Sequence, residues 1–153
     1  MPAAIFSAVF IALYVAHQVG DHWVQSSCQA AAKGGPGWAG RNACAKHVAS
    51  LLITKLIALC AVSAVLDLGL SVPFVVLALA VDAVSHYWAD RRTTLARLAH
   101  LVGKGEFYRL GAPRPGPDHD DNPSLGTGAY ALDQSWHIAW LGIAALIIAG
   151  GAS

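Results

Sequence analysis

Charge is what this sequence has least of. Asp, Glu, Lys and Arg make up 12% of its 153 residues, where soluble domains carry about 25%. Mean hydropathy is +0.50, which places the chain in the membrane class. A net charge of +1 gives no footing for a nucleic-acid partner. Cysteine is also scarce. Cys28, Cys44 and Cys60 form no CxxC, which argues against a disulfide framework, and Cys60 reads as a small core residue. There is no Gly-rich phosphate loop, GxSxG elbow, HExxH motif or internal repeat. No Lys or Arg precedes the first apolar run and no small-x-small cleavage site follows it, so the run is expected to stay as a span. Gln25-Ser26-Ser27-Cys28 lacks the Leu of a lipoprotein box.

What is present is apolar sequence in four blocks, at about residues 3–25, 47–66, 72–90 and 131–149. A membrane-crossing helix needs roughly 20 mostly apolar residues. The expected fold is therefore all-α: one domain over 1–153, a four-helix transmembrane bundle. Its connections at 26–46 and 91–130 are expected to be loops, the second basic and partly irregular. Lys33, Arg41 and Lys46 lie in the first; Arg91, Arg92, Arg97, Lys104, Arg109 and Arg114 in the second. If the helices alternate, both fall on one side, which the positive-inside rule makes cytoplasmic. Both termini then lie outside an inner (plasma) membrane. Lys55 is the exception, inside the second span. Trp23, Trp88 and Trp136 fall near the same interface, as an aromatic belt or as ordinary core packing. Ala89–Val102 is expected to be an amphipathic helix. The Pro/Gly-rich run 111–117 cannot be regular structure, and Asp118-His119-Asp120-Asp121 reads as a solvated acidic loop.

Three His/Asp pairs share one spacing: His17/Asp21, His86/Asp90 and, in reversed order, Asp133/His137. Residues i and i+4 of a helix share a face, so each pair can aim an imidazole and a carboxylate at one spot. Asp82 extends the His86/Asp90 stripe by a turn, and Gln25 extends that of His17/Asp21. Position adds to spacing. His17/Asp21 close the first span and His86/Asp90 the third, while His47 opens the second and Asp133/His137 the fourth. In an alternating bundle all four groups meet at the cytoplasmic ends. Ionisable groups kept in a span usually pair or line a functional site, and bundles build metal sites from inward His and carboxylate side chains. His17, Asp21, His47, His86, Asp90, Asp133 and His137 are thus candidate ligands for a divalent transition metal such as Zn, Fe or Mn. A single ion needs four to six ligands, so two ions are possible. Gln25, Asp82 and Gln134 are the supporting polar groups.

Plainer roles stand beside these. Asp133 suits a helix N-cap, Asp90 an ion pair with Arg91 or Arg92, and His47 a surface position beside Lys46. Cys28, Cys44 and His47 form a weaker alternative zinc set. His22 and His100 read as interfacial or exposed.

Ala16-His17-Gln18-Val19-Gly20-Asp21-His22-Trp23-Val24-Gln25 resembles the AHxxxDxxxQ opening of small bacterial membrane proteins grouped as domain of unknown function 3307. His47, His86-xxx-Asp90 and Asp133-Gln134-xx-His137 are similar to that family's later motifs, in order. Arg91-Arg92 stand where the family usually has Lys, and the Pro/Gly-rich insert is atypical, so the resemblance does not account for the 103–128 region. The resemblance implies no activity. A looser likeness runs to membrane-bound metal-dependent hydrolases, a fold-level analogy that does not settle function.

Three functions compete. One is a metal-binding membrane protein, possible as a hydrolase, with His47 as ligand or general base. Another is a proton or metal-ion carrier or channel, with Lys55 and Asp82 extending the polar path; four spans would then call for a homo-oligomer. The third is a regulatory partner whose basic segment 91–114 contacts anionic lipid or a cytoplasmic protein.

Overall fold

The computed structural model describes residues 2–112 and 127–152. The Asp118–Asp121 loop and most of the Pro/Gly-rich run therefore lie outside the described residues. Every regular element within them is helical: α1 (Pro2–Val19), a π-helical turn (Gly20–Val24), α2 (Ser27–Ala32), α3 (Gly37–Leu66), α4 (Val72–Asp90), α5 (Thr93–Leu101), α6 (Gly105–Tyr108) and α7 (Gly128–Gly150). Four helices, Pro2–Val24, Gly37–Leu66, Val72–Asp90 and Gly128–Gly150, are long and apolar enough to cross a membrane. At 1.5 Å per residue the 19 residues of α4 span about 28 Å, close to the thickness of a bilayer's hydrocarbon core.

α1 packs against α3 and α7, and α4 packs against α7 and α3. The ring order α1–α3–α4–α7 follows the chain, as in an alternating bundle with neighbouring helices antiparallel. Ile5, Val9, Leu13, Leu59, Ala78, Leu141, Ala144, Ala145 and Ile148 form its apolar core. Outward positions are apolar as well: Ile11, Ile53, Ile57, Val65, Val76, Val84 and Leu146 are exposed. A helix apolar on all sides belongs in lipid or in a large core. Cys60 is exposed on this outer face, so it is not the core residue its apolar neighbours suggest.

Local chemistry sets the ends. Ser26 and Gln29 form a reciprocal capping box that starts α2, inside a stretch expected to be loop. α3 begins at Gly37, directly after Pro36 and a long way before its apolar run, with no proline between Gly37 and His47 to interrupt it. Asp67 ends α3 in the left-handed region at φ 49°. The Thr127 hydroxyl accepts from the Tyr130 N–H and caps α7, so Asp133 is not the N-cap. The expected helix over 89–102 is instead split. α4 stops at Asp90, Arg92 takes φ 55°, and α5 starts at Thr93.

Candidate metal centre

Four imidazoles and three carboxylates meet at one end of the bundle. His17 comes from α1, Asp21 from the π turn, His47 from α3, His86 and Asp90 from α4, and Asp133 and His137 from α7. The two i,i+4 pairs on straight helix hold as spacing predicts: His86 Nε2 is 3.2 Å from Asp90 Oδ2, and His137 Nε2 is 3.4 Å from Asp133 Oδ1. His17 Nε2 reaches Asp21 Oδ2 at 3.7 Å across the start of the π turn. Such turns insert one extra residue into a helix and often mark functional sites. Here the turn re-aims Asp21 across the bundle, 3.3 Å from His47 Nε2. Gly20 packs closely on α3: a Cβ there would lie 2.2 Å from Leu51 Cδ1, so a larger residue requires the Leu51 side chain to shift.

His47 is the hub. Its Nε2 lies 3.1 Å from His86 Nε2 and 3.3 Å from both Asp21 Oδ1 and Asp90 Oδ2. It is fully buried, not a surface residue beside Lys46. Donor atoms held on one ion by bonds of about 2.0–2.1 Å lie about 3.3–3.4 Å apart at tetrahedral angles. The separations around His47 match such edges. Asp21, His47 and His86 bring ligand atoms within 4.8 Å of one another, and so do His86, Asp90 and His137. Either group can hold a metal ion. No cysteine joins such a group among the described residues; Cys28 is exposed and Cys44 is buried against the Tyr87 carbonyl. The alternative zinc set is not assembled.

The chemistry of the donors points the same way. His17 Nδ1 and Nε2, Asp21 Oδ1, His47 Nδ1, His86 Nδ1, Asp90 Oδ2 and His137 Nε2 are buried without a hydrogen bond. His17 Nε2, Asp21 Oδ1 and Asp90 Oδ2 lie within ion-pair range of other members of the cluster. Buried polar atoms are nearly always satisfied, and His/Asp groups of this kind could hold a cation.

The supporting residues divide. Gln18 Nε2 donates to Gln134 Oε1 at 3.2 Å, joining α1 to α7. Gln25 Nε2 is buried and unpartnered. Asp82 does not serve the cluster: it pairs with Lys55 at 2.5 Å, both buried. Asp90 pairs with Lys33 at 2.8 Å rather than with the adjacent arginines. Arg91 donates to the carbonyls of Lys33 and Gly35, and Arg92 to that of Ala30. Lys33 was not legible in the sequence, where it is one lysine in a Gly-rich stretch. Its only signal was the capping box that fixes α2 and so fixes the approach of Lys33 to α4.

A cleft of about 650 Å³ opens over the cluster, lined by Asp21, Gln25, Lys33, Asp90, Arg92, Tyr108, Tyr130 and Asp133, among others. Burial pushes the Tyr108 phenol up, so it stays protonated and can donate. Asp133 is the rim carboxylate, with its side chain 27% exposed. His22 is exposed and bonded to the Gln18 carbonyl and the Tyr130 hydroxyl. Trp88 stacks on Trp136 at 4.8 Å, and Trp136 Nε1 donates to Ser85 at 2.9 Å. Those two tryptophans pack together between helices, while Trp23 stands exposed.

A family model described as "Protein of unknown function (DUF3307)" matches residues 9–152. No curated protein and no solved structure matches the chain.

Proposed function

The chain belongs to the DUF3307 family, and from its own geometry we propose an integral membrane protein that binds a divalent transition metal, Zn, Fe or Mn, at its His/Asp cluster and acts as a metal-dependent hydrolase. The observation that carries this reading is the convergence of buried imidazole nitrogens and carboxylate oxygens at ligand-edge distances around His47, with Asp21 Oδ1 and Asp90 Oδ2 left without a hydrogen bond. The donor set is nitrogen and oxygen without thiolate, which suits Zn, Fe or Mn.

Charge supports it. Asp21, Asp90 and Asp133 bring −3 and Lys33 brings +1, so with neutral imidazoles the cluster sums to −2. A single divalent ion neutralises that sum. A divalent ion there supplies Lewis acidity for hydrolysis. The chain's own residues do the rest. His47 and His86 would hold the ion, with Asp21 and Asp90 as its further ligands. Lys33, Gln25 and the Tyr108 phenol face the cleft and can donate to the oxygens of an anionic substrate. Asp133, at the rim, can hold a proton.

The excess of Lys and Arg in the two connections supports an orientation with this end of the bundle on the cytoplasmic side of the membrane and the termini outside. Two features favour this reading over its rivals. Lys55 and Asp82 pair with each other, so they do not continue a polar path for a carried ion. Arg91 and Arg92 are spent on carbonyls of the α2–α3 segment rather than left for a partner.

The test is elemental analysis of the detergent-purified full chain. Metal at one or more ions per chain is expected, lost on His86→Ala and on Asp21→Asn, together with any metal-dependent cleavage of nitrophenyl phosphoesters. Folded protein that carries no metal and takes up no Co(II) or Mn(II) would overturn the reading.

A further inference from the structure

We propose that the substrate is a membrane amphiphile with a phosphodiester head on an apolar chain; the proposal rests on the metal-hydrolase reading above. Three cavities in series carry it. The cleft over the cluster is lined on one side by Leu95 of α5. Leu95 also lines a second cavity, of about 230 Å³, with Leu98, Lys104, Leu132, Trp136 and Ala139. Trp136 in turn lines a third, of about 450 Å³, with Ala80, Val81, Val84, Trp88 and Trp140. Through two shared side chains, a polar cleft continues into an apolar groove between α4 and α7.

Packing builds that groove. α4 packs along α7, α5 turns back onto α4, and α6 rests on α7. The floor is aromatic: ring centroids lie 4.8 Å apart for Trp88 and Trp136, and 5.9 Å apart for Trp136 and Trp140. The Trp136 indole N–H donates to the Ser85 hydroxyl, so these two polar groups are satisfied within the floor. Depth suits an amphiphile in a bilayer. Ala80 and Val81 precede His86 on α4 by more than a turn, about 7–9 Å farther from the cluster end at 1.5 Å per residue. Trp140 follows His137 in the same direction on α7. An apolar chain in the groove lies along the span while its head stays with the cluster.

Charge selects the head. An apolar groove alone would accept any lipid, but this one runs past Leu95 into a cleft lined by Lys33 and Arg92, and Lys104 stands in the connecting cavity. Once a divalent ion neutralises the cluster, Arg92 and Lys104 leave an excess of positive charge around the head. Basic pockets between spans on the cytoplasmic side hold anionic lipid headgroups in this way. Hydrolysis there joins the oxygen of a water to phosphorus and breaks one P–O ester bond. One proton of that water goes to the departing alcohol oxygen and the other to solvent.

The Mn(II)-loaded full chain in detergent micelles tests this with two nitrophenyl phosphodiesters, one carrying a hexadecyl chain and the other an ethyl group. Partition into the micelle favours the long chain in every variant alike, so substitutions in the groove carry the test. Ala139→Phe and Ala80→Phe each add a ring there, from positions that are exposed. The preference for the hexadecyl ester, as a ratio of kcat/KM values, should fall about tenfold in each, because the chain no longer positions the head. A second readout needs no turnover. A bromoalkyl phosphate should quench tryptophan fluorescence saturably, with a midpoint that both variants raise several-fold. A preference that survives both substitutions, or a quenching midpoint that neither moves, overturns the substrate assignment and leaves the hydrolase reading intact. Bound Mn(II) with neither ester cleaved overturns the hydrolase reading and this proposal with it; no bound Mn(II) overturns the metal reading as well.

Discussion

Replacing Lys55 with Met should destabilise the protein far more than replacing Lys55 and Asp82 together. Lys55 is 0% exposed and its Nζ lies 2.5 Å from Asp82 Oδ2. At an effective dielectric of about 20, two unit charges at that distance attract by about 6–7 kcal/mol gross, most of it offset by the cost of taking both out of water. Removing one partner keeps the desolvation cost of the other and loses the attraction. Measured losses of this kind run to about 3–5 kcal/mol. A lone Asp or Lys at the centre of a span costs about 2.5–3.5 kcal/mol on insertion scales, so two independent routes reach the same size. Lys55→Met and Asp82→Leu should each lose about 3–5 kcal/mol. The double variant should fall within about 2 kcal/mol of the parent, because Met and Leu refill the volume with apolar atoms. SDS unfolding in mixed micelles, followed by circular dichroism, measures all four proteins as a double-mutant cycle. Single variants that lose under about 1 kcal/mol, or a double variant that loses the sum of the singles, would refute the buried pair.

Further outcomes follow from the same contacts. Gly20→Val drives a side chain into Leu51 and should push Asp21 away from His47, weakening Mn(II) binding by about tenfold or more in an equilibrium titration. Thr127→Ala removes the cap of α7 and should cost about 1 kcal/mol, with faster amide exchange confined to residues 128–131. Trp136→Phe keeps an aromatic ring on Trp88 but loses the bond to Ser85; a loss of about 0.5–1.5 kcal/mol in thermal unfolding is expected, with metal content unchanged. Chelation should raise amide exchange around His17, His47, His86 and His137 and leave the apolar core near Leu13, Leu59, Ala78 and Ala145 protected. Uniform loosening of both ends would contradict that division.

Much of this was legible because helix periodicity is a local property. Four apolar runs long enough to span a bilayer become α1, α3, α4 and α7. The i,i+4 rule brings His86 to Asp90 and His137 to Asp133 without any tertiary information. Placing every pair at a helix end made their convergence follow from alternation alone. What escaped depended on distant partners or on departures from the α-helix. Asp21 meets His47 through a π turn, and no residue in Gly20–Val24 announces one. The link from Lys33 to Asp90 depends on where α2 lands. Asp82 shares a helical stripe with His86 and so seemed part of the cluster. Its partner Lys55 lies two turns below His47 on α3, and pairing draws the two of them away from the site. Arg91 and Arg92 read as partners for Asp90 or for lipid because nothing local shows the backbone carbonyls to which they donate.

The bundle divides its labour along its length, and the division explains why the site sits where it does. At one end Ile5, Val9, Leu13, Leu141, Ala144 and Ile148 pack helix against helix. At the other, His17, His47, His86, Asp90 and His137 occupy the equivalent inward positions and are buried just as fully. Those side chains offer little apolar surface to bury, and they leave polar atoms without hydrogen bonds. In a membrane the apolar end gains little from exclusion of water, since the surrounding lipid is as apolar as the core. Contacts that tie all four helices are therefore most effective where they are directional. Lys55–Asp82 joins α3 to α4, and Gln18–Gln134 joins α1 to α7. The cation proposed above, held by Asp21, His47, His86 and Asp90, would join the π turn to α3 and α4. On this view the same bonds that would carry the chemistry also hold the polar end of the bundle together, so site and fold are one set of contacts.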